Sequence, residues 1–486
     1  MEWLIIVGYG FSLLVICIFS LGQFNLAWHY RKHQKQLNNS ADASLEEFPH
    51  VTVQLPIYNE KYVIERLIDA VAAFDYPKDK LEIQILDDSN DETIEIVAKK
   101  VAAYQAQGID IQQVQRPERK GFKAGALQYG MEHAKGEFIA IFDADFLPPK
   151  DFLKSTLTSF NDPKVGMVQT RWGHLNQDYS LLTRVQAFGL NAHFTIEQKG
   201  RLNAGSFINF NGTGGVWRKT CIIDAGGWHH DTLTEDLDLS YRAQLKDWKF
   251  DYLEDVLSPA ELPVLMPAVK SQQYRWNKGA AETARKNLGK IWRSNLDFSH
   301  KVRGAMHLLN SSVFLFLLTA AVLSIPMLYV KESNPTLGLL FDLGSIFIVG
   351  FIGMSIFYWF SSKATNPNYT LRYFAGHFPM FLSYSMGLAL HNSIAIAEGW
   401  MGIKTPFIRT PKFNVMKKGD SWKGNVYLKH TITPITLCEG LLALYFVFGI
   451  VSAFVLGDFG LLFFHLMLAI GFGYIFFISL KPIQSA

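Results

Sequence analysis

The sequence predicts an α/β domain with a mostly parallel β-sheet, framed by apolar helices that cross a membrane. Three observations predict it. Between about Val51 and Lys301, short unbroken β-rich runs alternate with amphipathic stretches, the pattern of a sheet covered by helices on both faces. On either side of that region lie nearly uncharged runs long enough to cross ~30 Å of hydrocarbon. The chain is 49% hydrophobic and only 18% charged over 486 residues, and the apolar excess sits in those flanks.

Taken in order, Leu4 to Trp28 is the first such run, and it lacks the small-residue cleavage site of a signal peptide. It is expected to be a retained transmembrane helix, residues 1–30. Arg31, Lys32 and Lys35 follow, then the polar linker "LNNSADASLEE", and basic residues beside a span place what comes next on the cytoplasmic side. That next segment, residues 48–300, is the α/β domain. Its expected strands are "VTVQLPIYNE" from Val51, "LEIQILDDSND" from Leu81, "IDIQQVQRP" from Ile109, "FIAIFDAD" from Phe138 and "VGMVQTRW" from Val165. Tyr62 to Phe74 reads as an amphipathic helix between the first two.

Beyond the domain, Ala305–Val330 and Leu337–Phe360 give two transmembrane helices over residues 304–360, and two more occupy 433–480. The run at 371–398 carries Arg372, His377, His391 and Asn392. It precedes a basic stretch with Lys404, Arg409, Lys412, Lys417, Lys418 and Lys423. Crossing would put those charges outside, so an amphipathic helix in the interface is expected, followed by a cytoplasmic loop over 400–430. The count is then five spans, with the N-terminus outside and Lys481 inside. Cys17, Cys221 and Cys438 are far apart and form neither a disulfide framework nor a zinc spacing. The net charge of +3 sits beside the membrane runs, which argues against nucleic acid as a partner.

In parallel α/β sheets ligands bind beyond the carboxyl ends of the strands. Asp87, Asp88, Asp143 and Asp145 all stand at such ends. Crowded carboxylates there call for a hard divalent cation, which usually also holds substrate phosphates; Asp-x-Asp sets Asp143 and Asp145 on the same side of an extended chain, so one can take the metal while the other holds ribose or metal-bound water. "RPERKGFKAGAL" adds Arg116, Arg119, Lys120 and Lys123, with Gly121 and Gly125 before a helix start, a turn suited to a nucleoside diphosphate. "FNGTGGVWR" lets a ligand approach the backbone at Gly214 and Gly215, Thr234 stands where a helix N-cap before Glu235 and Asp236 is expected, and "SQQYRWNKG" (271–279) precedes the next apolar run. Taken singly, these admit structural roles as an acidic turn, a helix cap, a glycine turn, a capping motif and an interfacial aromatic belt. Their joint presence in one domain points to a nucleoside-diphosphate site.

Together they resemble the membrane-embedded, inverting glycosyltransferases of family 2, which include cellulose, chitin, hyaluronan and plant mannan synthases. The family's Asp, Asp-x-Asp, Thr-Glu-Asp and Gln-x-x-Arg-Trp elements occur in order as Asp88, Asp143–Asp145, Thr234–Asp236 and Gln272–Trp276. "VQTRW", "FNGTGGVWR" and "GGWHHDTLTEDLDLSYRA" look closer to plant mannan-synthase and xyloglucan-glucan-synthase types than to bacterial cellulose synthase. The single N-terminal span and the lack of an "RxxxR" extension depart from the latter, so cyclic-nucleotide activation is not expected.

The resemblance implies a GT-A domain, a Rossmann-like mixed and mostly parallel sheet. Asp88, with Asp87 beside it, would contact the base or ribose, Lys123 and Arg275 the phosphates, and Asp143 and Asp145 the diphosphate through Mg²⁺ or Mn²⁺. Asp236 would be the general base, oriented by Glu235. Trp276 would offer a flat face to the acceptor sugar, with Gln272, Gln273, Gly214 and Gly215 around it. "FIRTPK" (Phe407–Lys412) resembles the Phe-x-Val-Thr-x-Lys gating loop of cellulose synthases, with Arg409 where that pattern has Val; Lys412 or Thr410 would touch phosphate. The implied activity is processive, inverting polymerisation of a hexose from UDP-glucose or GDP-mannose into a β-mannan or β-glucan that passes through the lipid bilayer. His307, Asn310, Ser311, Ser312, Tyr384 and His391 are candidates to line the path. The alternative is single addition to a lipid, as in ceramide glucosyltransferases.

Overall fold

A computed structural model describes residues 2–33, 47–334, 348–422, 425, 427 and 432–480. The sheet has seven strands: β1 Val51–Ile57, β2 Leu81–Asp87, β3 Asp110–Val114, β4 Phe138–Ile141, β5 Val165–His174, β6 Gly215–Arg218 and β7 Lys249–Ala260. Their order across the sheet is β3-β2-β1-β4-β6-β5-β7, and every neighbouring pair is parallel except those made by β6, which runs antiparallel to β4 and β5. All of β2 and β4 is buried, because helices cover both faces and leave no solvated side to alternate with. One face packs Val53, Leu55, Leu67, Phe142 and Phe152, the other Leu127, Ile139, Trp217, Leu239 and Tyr252. The expected helix after β1 spans Ile64–Ala72, and Ile64, Leu67, Ile68 and Val71 form its buried stripe at helical spacing.

The five expected strands are all present, and β6 and β7 are additions to them. β6 is the four residues "GVWR" at the end of the glycine-rich turn, and β7 carries Asp251, Glu254 and Asp255 on a sheet edge. Neither has the apolar run that marks a strand.

Four described helices are long and apolar enough to cross a membrane: Glu2–His33, Phe298–Ser333, Pro434–Leu456 and Leu462–Leu480. An apolar helix, Ile348–Thr365, covers the later part of the run expected at 337–360, whose first residues lie outside those described. The single interfacial helix expected over 371–398 is instead two helices, Leu371–Gly387 and Ala389–Met401, meeting at 50°. Each half follows a different partner. Gly387 lets the first half pack directly on the backbone of Gly471, and Gly399 lets the second lie within van der Waals contact of Lys278 and Ala281. In the second half, His391 Nε2 lies 2.9 Å from the Lys270 carbonyl oxygen, and Glu398 pairs with Lys278 at 3.4 Å. Taken as one element, the bent pair would make a fifth span.

Candidate active site

The cleft lies beyond the carboxyl ends of β1, β2 and β4, beside the point where strand order reverses, and encloses ≈1300 Å³ open to solvent. Asp143 leaves β4, and its backbone N–H donates to Thr213 Oγ1 (2.9 Å), which fixes the acidic turn against the glycine segment. Lys123 Nζ donates to Asp143 Oδ1 (2.6 Å) and to the Gly212 carbonyl (2.8 Å). Gly212 has φ +81°, and a Cβ there would stand 3.0 Å from Asp236 Oδ2 and 3.4 Å from Lys123 Nζ. Only glycine holds this left-handed turn without crowding both side chains. Gly212→Ala is therefore expected to lower turnover at least about tenfold through ~1–2 kcal/mol of local strain, a loss checked by initial rates alongside a melting curve.

Glu235 and Asp236 open the Glu235–Gln244 helix. Thr234 occupies the N-cap position, but its side chain does not cap; its Oγ1 instead lies 3.1 Å from Thr283 Oγ1 on the Met266–Arg293 helix. Gly279 makes that approach possible, since a Cβ there would be 2.8 Å from the Thr234 nitrogen. Asp236 Oδ1 accepts the Leu237 N–H (2.8 Å), leaving Oδ2 facing the cleft. Burial, then the adjoining Glu235 carboxylate, push the Asp236 carboxyl up to about 7, and burial raises Glu235 as well. Burial alone would lower Lys123, but Asp143 and Glu235 outweigh it and hold the ammonium above its usual range.

The long Met266–Arg293 helix supplies the next wall. Gln272, Arg275 and Trp276 stand at i, i+3 and i+4, share a face and line the cleft. Over them lies the 403–413 loop. Arg275 Nη2 donates to Thr410 Oγ1 (2.8 Å), its guanidinium lies 4.8 Å from the Phe407 ring centre, and Phe407 stacks on Phe122 (5.4 Å). Arg409 pairs with Glu60 at 2.7 Å, and Lys412 Nζ donates to Asp145 Oδ2 at 2.7 Å. Burial raises Glu60 to about 7 against the pull of Arg409 and Lys412.

Of the residues expected in the site, Asp88, Lys123, Asp143, Asp145, Glu235, Asp236, Gln272, Arg275, Trp276 and Lys412 line this cleft. Four do not. Asp87 is 3% exposed and shapes the β2 turn, accepting from the Ser89 N–H (2.9 Å) and Gln113 Nε2 (2.7 Å). Gly214 and Gly215 lead into and begin β6, where Gly214 N–H donates to the Ile141 carbonyl (2.9 Å). Gln273, one position past Gln272, turns off the shared face, and its carbonyl accepts from Asn277 Nδ2. Asp88 is clamped by Arg116 through Nε (2.7 Å) and Nη2 (2.5 Å), while Arg119 lies 3.4 Å over the Tyr58 ring. Glu60, His174, Asn211 and Gly212 also line the cleft, outside the residues expected there. Gly212 stands inside the quoted glycine segment, whereas His174, lowered by burial to about 4, has no motif around it.

The acidic pair suits a divalent cation. Asp145 Oδ1 is buried without a partner, and both carboxylates already hold ammonium groups where a metal would stand. A second cluster, His229, Asp231 and Asp238, is filled by Lys286, whose Nζ lies 3.2, 2.7 and 3.0 Å from the three.

A basic glycine turn, paired aspartates and a raised carboxyl that share one cleft with a tryptophan can hold a diphosphate and take a proton from a bound hydroxyl. Residues 49–284 match the family described as glycosyltransferase-like family 2, and the chain carries a glycosyltransferase family 2 domain. Among curated relatives it is 43% identical to a probable glucomannan 4-β-mannosyltransferase 4 of Oryza sativa, over 57% of this chain and 51% of that protein. It is 41% identical to glucomannan 4-β-mannosyltransferase 7 of Arabidopsis thaliana, over 53% and 47%. The chain thus spans about half the length of these relatives. A solved mannosyltransferase from Pyrobaculum calidifontis, in complex with GDP-mannose and Mn²⁺, shares the fold at 21% identity and TM-score 0.50, covering 74% of this chain and all of that one.

Proposed function

We propose that the chain is a processive, inverting mannan-type synthase. It transfers mannose from GDP-mannose to the nonreducing end of a β-linked glycan and passes the product across the bilayer. The observation that carries this reading is that Asp236, a carboxyl raised toward neutrality, shares one cleft with Trp276 and the Asp143–Asp145 pair. GDP-mannose is favoured over UDP-glucose by the mannosyltransferase relatives and by the donor in the archaeal structure.

The acceptor ring rests on Trp276, with Gln272 beside it, so that the attacking hydroxyl meets Asp236 Oδ2. Asp236 takes the hydroxyl proton as the oxygen attacks the anomeric carbon from the face opposite the diphosphate, and a single displacement inverts that carbon. Glu235, by raising its neighbour, keeps Asp236 basic enough to accept the proton. Lys123 and Arg275 hold the phosphates, and Asp88, fixed by Arg116, meets the nucleoside. A Mg²⁺ or Mn²⁺ ion held by Asp143 and Asp145 would supply Lewis-acid charge to the leaving diphosphate. Thr410 and Lys412 keep the loop over the donor and exclude water, which disfavours hydrolysis. Arg31 and Lys32, at the domain end of the first helix, support a cytoplasmic position for the domain.

The test uses full-length chain in nanodiscs with Mn²⁺ and either GDP-mannose or UDP-glucose, reading nucleotide release and product length. A long product from GDP-mannose alone is expected. A long glucan from UDP-glucose would reassign the sugar, and a one-sugar product on added lipid would replace polymerisation by glycolipid synthesis.

A further inference from the structure

We propose that the protein has a second binding site, separate from the cleft, for the phosphate headgroup of an anionic lipid. An open cavity, ≈470 Å³ with the solvent at its mouth included, lies between the Glu2–His33 helix, the Gln198–Asn203 helix with the segment after it, and the Phe298–Leu309 helix. It shares no lining residue with the catalytic cleft. His307 and Asn310, two of the candidates for a polymer path, line this cavity.

Its polar wall is built of donors. Arg201 is 4% exposed; its Nη2 is committed to Glu197, while its Nη1 is buried and has no partner. Ser206 Oγ is also buried without a partner. Arg303 reaches the same space, anchored through Nη1 to the Ala204 carbonyl (2.5 Å). No carboxylate is among the described lining residues. Buried donors left unmatched cost free energy, and two guanidinium groups with a hydroxyl match the several acceptor oxygens of one phosphate.

The opposite wall is apolar, with Phe19, Leu26 and Met306. Gly22, on the cavity's edge, lies nine residues from Arg31, or ~13 Å along the helix, so the cavity sits about where headgroups give way to acyl chains on the domain's side. A phosphate beside an acyl-like wall at this depth is a lipid's arrangement, and basic pockets between transmembrane helices take such headgroups. The site also touches the catalytic domain. Glu197 is shared by Arg201 and His193 (2.8 Å), and His193 Nε2 lies 2.9 Å from Asn211 Oδ1 at the cleft. A bound headgroup thus steadies a side-chain line that ends in the cleft wall.

The experiment is native mass spectrometry of full-length chain from phosphatidylcholine nanodiscs with or without phosphatidic acid, beside Arg303→Gln and Asn310→Leu. Arg201 is kept, because its loss would strip Glu197 of its buried partner. Wild type should retain phosphatidic acid over phosphatidylcholine about tenfold or more, and Arg303→Gln should remove that preference without moving the melting temperature in detergent. Asn310→Leu, which fills the cavity without removing a charge, should do the same. Equal retention in wild type and both variants, or no preference in wild type, would overturn the site. Inorganic phosphate raising the melting temperature in detergent as much as phosphatidic acid does would overturn the lipid assignment in favour of a soluble anion.

Discussion

Asp236→Asn is expected to lose turnover by about 10²- to 10⁴-fold, the usual range for a positioned general base, while still binding the donor. The same variant should melt higher than the parent above pH 7. Unfolded, the Asp236 carboxyl titrates near 3.8; folded, burial and Glu235 move it to about 7. The stability from this group is therefore complete below about 3.8 and is lost as pH rises through about 7, because the folded state must then hold a charge that water solvates better. Asparagine carries no such charge, so its advantage grows from pH 5.5 to pH 8, by on the order of 1–3 kcal/mol. Wild-type turnover should show the complementary acid limb, falling below about pH 7 as the base is protonated. Paired melting and rate profiles check this, and an Asp236→Asn protein that melts lower at pH 8, or that keeps wild-type turnover, would remove Asp236 from the role of base.

Asp145→Asn is expected to abolish measurable Mn²⁺ binding and to cut turnover by about 10³-fold or more, since the charge on the departing diphosphate would go uncompensated. Lys412→Met should separate binding from catalysis. Lys412 occupies Asp145 and Lys123 occupies Asp143, so a divalent ion arriving alone must displace two ammonium groups. A diphosphate arriving with it offers those lysines new partners. Mn²⁺ should consequently bind weakly alone and more tightly with GDP present. Removing the Lys412 ammonium should tighten binding of Mn²⁺ alone about tenfold, near 1.4 kcal/mol, yet slow turnover because the loop loses its phosphate contact. Electron paramagnetic resonance titrations of Mn²⁺ read both effects. Weaker Mn²⁺ binding in Lys412→Met would contradict the competition.

The five strands with unbroken apolar runs were legible because burial on both faces leaves a plain compositional trace. β6 was not, because it is four residues long and begins inside a glycine turn, and β7 was not, because its acidic residues sit on an edge. In the site, residues tied to a motif largely reached the cleft. Asp87 and Gln273 show the limit: each neighbours a cleft residue in sequence, but strand alternation and the 3.6-residue helical turn send adjacent side chains in different directions. The bend at Leu388 was illegible because it depends on helix partners, Leu462–Leu480 for one half and Met266–Arg293 for the other, that sequence polarity does not name.

The Arg275–Thr410 and Lys412–Asp145 contacts join parts of the chain separated by more than 130 positions. A ribosome emerging from residue 284 needs roughly ten seconds to reach residue 412. In that interval Phe298–Ser333 is already available for insertion, whereas the cleft still lacks its cover and two of its cations. The order of synthesis thus leaves the cleft open on one side until well after the helix that follows the α/β domain has left the ribosome.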